Sequence, residues 1–108
     1  MANAFKNYFL KNPNTTSQNV FSAGAGVQAT VIGMTIANIT NAPITANVTL
    51  TSSGTSYFMV KNAIIASGGA LVPIGGDQKV VLEATDYLQV QTSAADSADV
   101  ILSVLEIT

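Results

Sequence analysis

Apolar and polar residues in this chain alternate with a period of two, and that pattern limits the fold more than any other feature. Ile44, Ala46, Val48 and Leu50 fall on one face of an extended segment, with Thr45, Asn47, Thr49 and Thr51 on the other. Such a segment is a half-buried strand, because successive side chains of an extended backbone point to opposite sides. The same reading places Val80 and Leu82 inward beside Lys79, Val81 and Glu83, and Leu88 and Val90 inward beside Tyr87, Gln89 and Gln91. Apolar spacing of three and four residues, the mark of a helix, hardly occurs.

Further strands are expected over 4–11, 20–22, 27–40, 57–65, 70–74 and 99–107. Turn-forming clusters separate them: Asn12-Pro13-Asn14, Ala23-Gly24-Ala25-Gly26, Asn41-Ala42-Pro43, Ser52-Ser53-Gly54, Ser67-Gly68-Gly69, Gly75-Gly76-Asp77 and Ala84-Thr85-Asp86. Eight or nine short strands at such intervals predict an all-β fold, a two-sheet antiparallel β-sandwich of jelly-roll type. The length of 108 residues is that of one domain spanning 1–108. Parity breaks once. Val27, Ala29 and Val31 share a face, whereas Ile32, Met34 and Ile36 have the opposite parity. One extra residue near Gly33, in a bulge or a bend between sheets, restores a single inward face; the alternative is a strand buried on both sides.

Charged residues make up only 9% of the chain, against about 25% in an ordinary soluble domain. The polar positions are filled instead by Thr, Asn, Ser and Gln. No arginine is present, and Lys6, Lys11, Lys61 and Lys79 are scattered along the sequence, so nucleic acid is not an expected partner. Polar residues interrupt every apolar run long enough to be a membrane span, and the N-terminus has no apolar signal core. The protein is therefore expected to be made in the cytoplasm, with no membrane partner. Asn14-Thr15-Thr16, Asn38-Ile39-Thr40 and Asn47-Val48-Thr49 match the glycosylation pattern but carry no weight without secretion.

Catalysis at neutral pH recruits histidine, cysteine, a metal or a carboxylate pair in a pocket, and the first two are absent. Asp77, Glu83, Asp86, Asp96 and Asp99 sit at turns or strand ends, where acidic side chains cap backbone amides. No enzyme activity, cofactor or metal is expected. Calcium is the one metal the composition allows, through Asp96 and Asp99 or Asp77 with Asp86, but neither set has the ligand density of a calcium loop. Gly24-Ala25-Gly26-Val27-Gln28-Ala29 has the spacing of a dinucleotide fingerprint without the helix, or the later acidic residue, that the chemistry requires. Tyr57, Phe58 and Tyr87 leave a carbohydrate-binding face as an alternative function.

Two features point to assembly. In the last strand Val100, Leu102 and Val104 lie on one face while Ile101, Leu105 and Ile107 lie on the other. A small sandwich has one interior, so the second apolar face calls for a neighbouring subunit, or else for the chain's own loops, as its cover. Phe5, Tyr8 and Phe9 concentrate aromatic surface ahead of Pro13. Residues 1–11 are either an arm that docks on a neighbour or the first strand, with Phe5 and Phe9 on one face and Tyr8 and Leu10 on the other. The candidate interface is thus Phe5, Tyr8, Phe9, Ile101, Leu105 and Ile107.

From Gly75-Gly76-Asp77-Gln78-Lys79-Val80-Val81-Leu82-Glu83 to Ser103-Val104-Leu105-Glu106-Ile107-Thr108, the chain resembles small structural proteins of tailed bacteriophages. The shared features are the Leu82-Glu83-Ala84-Thr85-Asp86 turn between two strands and a final apolar strand ending in Leu105-Glu106-Ile107. Many such proteins have glycine before the aspartate, where this chain has Thr85. The resemblance implies a virion protein, either a capsid decoration (cement) protein or a tail-associated subunit. Its implied partners are copies of itself, with a trimer favoured by analogy, and the major capsid protein or other virion proteins.

Overall fold

The computed structural model describes residues 3–75 and 79–108, in which nine strands and no helix occur. The strands are β1 (Asn3–Lys11), β2 (Gln18–Ser22), β3 (Gln28–Asn38), β4 (Ile44–Ser52), β5 (Thr55–Ile65), β6 (Ala70–Ile74), β7 (Val80–Leu82), β8 (Tyr87–Thr92) and β9 (Ala98–Ile107). They form two antiparallel sheets packed as a β-sandwich. Sheet A runs β1-β9-β3-β6, with β7 also paired to β3, and sheet B runs β2-β8-β4-β5. Most connections cross from one sheet to the other, so strands adjacent in sequence face each other across the core. The Leu82–Asp86 segment is such a crossing, a corner between β7 in sheet A and β8 in sheet B rather than a hairpin.

Alternation places the core. Val31, Met34, Ile36, Val100, Leu102 and Val104 of sheet A meet Ile44, Val48, Leu88 and Val90 of sheet B, all essentially without solvent contact. The parity break in β3 is a bulge: Val31 pairs with Val104 and Gly33 with Ser103, which leaves Ile32 as the extra residue. Ile32 leaves the inward set, and Met34 and Ile36 rejoin Ala29 and Val31 on the core side. Gly33 has room for a Cβ, the nearest atom being the Ile74 carbonyl oxygen at 3.7 Å, so glycine is compatible with the bulge without being demanded by it.

Between β4 and β5, Ser53 and Gly54 take φ of 52° and 80°. Two successive left-handed residues match the twist of a two-residue hairpin. The loop after β1 is held in place. Pro13 is buried, its carbonyl accepts a hydrogen bond from the Thr92 hydroxyl at 3.0 Å, and the Thr92 amide donates to the Asn14 carbonyl at 3.1 Å. Asn38, part of a glycosylation pattern in the sequence, is buried at the end of β3. Its amide group donates to the carbonyls of Ala42 (2.8 Å) and Ile65 (3.0 Å), while its oxygen accepts from the Thr40 amide (2.9 Å) and hydroxyl (2.7 Å).

Candidate assembly surface

The register of sheet A fixes which side chains share its outer face. Antiparallel partners directly opposite one another lie on the same side of a sheet. Asn3 pairs with Ile107, Phe5 with Leu105, Asn7 with Ser103, Phe9 with Ile101 and Lys11 with Asp99, and this whole set faces away from the core. The rows continue across β3 and β7, where Leu105 pairs with Thr30 and Thr30 with Val81. Phe5 is 77%, Phe9 68% and Ile101 47% exposed, while Leu105 and Ile107 are half-buried between their neighbours. Val72 and Val81 are exposed on the far strands of the same sheet.

Polar contacts frame this face. Lys11 Nζ lies 2.8 Å from Asp99 Oδ1, and Ser103 Oγ donates to Asn7 Oδ1 at 2.8 Å. Two shallow grooves cross it. One lies by Phe9 and Ile101; the other lies between Phe5 and Ile32, the residue pushed out by the bulge. Sequence parity had grouped Ile32 with the core, and only the position of the bulge moves it to the groove.

The structure brings five of the six expected interface residues onto one face and sets Tyr8 apart. Tyr8 lies on the inward side of β1, where its ring packs on Phe21 with centroids 4.7 Å apart. Its hydroxyl donates to Glu106 Oε2, and Lys6 Nζ stands 3.7 Å from the same carboxylate oxygen. The hydrogen bond to Glu106, then burial and the carboxylate's charge, push the Tyr8 phenol up to about 12 from its usual 10.0. Glu106 is a buried acid on the core face of β9. The sequence showed it only as part of a terminal Leu-Glu-Ile, since nothing local reveals a partner 98 residues away.

The outer face of sheet B is different. Asn47 donates to Gln91 (3.1 Å), Gln89 to Asn19 (2.7 Å) and Gln91 to the Thr15 carbonyl (2.6 Å), so these side chains satisfy one another. At the edge of this sheet Tyr57 and Phe58 are exposed and, as consecutive strand residues, point to opposite sides; the register puts Phe58, beside Thr49, on the outer face with half-buried Tyr87, beside Thr51, and with exposed Ile64, beside Thr45. Lys61 Nζ sits 5.0 Å from the centre of the Phe58 ring.

The acidic residues read as caps divide. Asp86 is buried and its Oδ2 accepts from the Glu83 amide at 3.0 Å, closing the corner, whereas Asp99 pairs with Lys11. Asp77 and its neighbours Gly76 and Gln78 lie outside the described residues, and among the described residues no three potential metal ligands converge. Gly24–Gly26 forms a tight turn, with the Val27 amide 3.1 Å from the Gly24 carbonyl, that leads into strand β3 rather than a helix.

No family model and no curated protein matches the sequence. Among solved structures, the chain is similar to one of Bacillus endospore appendages, described as a family of disulfide-linked pili. The TM-score is 0.58 at 12% identity, over 98% of this chain and 88% of the other. A pentameric capsid protein from metagenomic phage sequences aligns with a TM-score of 0.41 at 17% identity; it covers 94% of this chain and 59% of its own length. The first likeness shows a shared fold. With no cysteine in its sequence, the present chain has no disulfide with which to link subunits.

Proposed function

We propose that this chain is a non-enzymatic structural subunit of a tailed-phage particle, a capsid decoration protein that binds its neighbours through the outer face of sheet A. The observation that carries the reading is the asymmetry of the two outer faces. The middle of sheet B presents amides bonded to one another, with Phe58 and Ile64 exposed on its edge strand β5, while sheet A presents Phe5, Phe9 and Ile101 together across the paired strands β1 and β9. Leaving rings of that size in water forgoes about 1.5–3 kcal/mol each, which contact with another protein surface recovers. The phage-like corner and final strand, and the fold shared with an appendage protein, support an assembly role in the same direction.

The test is to purify particles from a culture producing the protein, locate it in a density map, and repeat with Phe9→Ser and Ile101→Ser. The wild type is expected on the capsid exterior, with folded but unincorporated variants. Density on the tail would move the protein to a tail-associated role, and particles that lack the protein would overturn the reading. A carbohydrate-binding function would show instead as saturable signal on a glycan array.

A further inference from the structure

Sheet edges expose unpaired backbone donors and acceptors, and folds that stay monomeric blunt them with short strands, proline, bulges or charged side chains. Three of the four sides are blunted in this way. Strand β2 has five residues with a register shift between Asn19 and Phe21. Beside β3 the outer position is split between β6, which contains Pro73, and the three-residue β7. Strand β5 is shifted twice against β4, and Asn62 within it has a φ of 53°. Strand β1 carries the charges of Lys6 and Lys11 but none of the backbone devices. It runs nine residues without proline, keeps an unbroken register with β9, and lies at the edge of sheet A.

Resting on the reading of this chain as an assembly subunit, we propose that two copies join β1 to β1, antiparallel about a two-fold axis at Asn7, making one continuous sheet. The sequence of β1 is complementary to itself in that register. All nine residues overlap, over about 30 Å of edge, and Phe5 faces Phe9 of the second copy twice over. Lys6 faces Tyr8, Ala4 faces Leu10, Asn3 faces Lys11, and Asn7 faces itself, so no two lysines stand opposite each other. Moving the axis to Lys6 would set two ammonium groups face to face, which disfavours that register. Aromatic cross-strand pairs stabilise such ladders, and the join lengthens the apolar outer face without covering it. A two-fold edge contact yields even-numbered assemblies in place of the trimer expected by analogy.

Asn7→Lys and Asn7→Asp, at an exposed position, test this by placing like charges across the axis. Sedimentation velocity should show a dimer for the wild type, a monomer for each variant alone, and a dimer again for their equimolar mixture. Circular dichroism should show the same strand content throughout. A wild type that stays monomeric at the highest concentration reached, an oligomer that survives both substitutions, or a mixture that stays monomeric would each overturn the pairing. The particle experiment is independent of these outcomes, because incorporation through Phe9 and Ile101 does not require a dimer in solution.

Discussion

At the scale of single residues, two side chains set measurable properties. The Tyr8 phenol has a higher pKa in the fold, about 12, than in the unfolded chain, so its contribution to stability is fully present below pH 10. Above that pH the unfolded chain sheds the proton first, and stability should fall as pH rises from 10 to 12. Thermal melts of wild type and Tyr8→Phe across this window check it: the variant should be about 1–2 kcal/mol less stable at neutral pH and should lose less on going alkaline. The second residue is Thr85, with φ of 72° at the corner before Asp86. A β-branched residue is costly in that region of backbone space, which glycine adopts freely. Thr85→Gly is expected to raise stability by about 1 kcal/mol, read as a higher denaturant midpoint.

Strand β3 shows how one element can carry two parities. Its extra residue, Ile32, lets Ala29 and Val31 face the core from one half while Met34 and Ile36 face it from the other. Deleting Ile32 would force one half to turn its apolar set outward. That deletion should abolish the cooperative thermal transition. Ile32→Ser, which alters only the groove beside Phe5, should leave the transition within a few degrees of wild type, and a deletion variant that melts normally would show that the bulge is dispensable.

For the whole molecule, the scarcity of charge governs how copies associate. The exposed ion pair of Lys11 and Asp99 lies at the margin of the apolar face, where such pairs contribute little. Contacts made by aromatic rings and backbone hydrogen bonds are not screened by ions. Self-association measured by light scattering should therefore change by no more than about threefold between 0.1 and 1 M sodium chloride. Dissociation in moderate salt would assign the contact to charges instead.

The alternation of side chains along each segment, together with the turn formers between segments, determined by itself that this chain is a β-sandwich and where its strands lie. Period two is a local property of extended backbone and needs no knowledge of the partner strand. It also determined that Phe5 and Phe9 share a face, as do Ile101, Leu105 and Ile107. Tertiary structure alone decided that these two groups lie on the same side of one sheet, because that follows from the register of β1 against β9, strands separated by most of the chain. Likewise, only the fold could bring Tyr8 to Glu106, show the Ala84–Asp86 turn as a corner between sheets, and leave β1 as an unbroken strand at a sheet edge. Each is a relation between distant segments, fixed by how the two sheets close over their core.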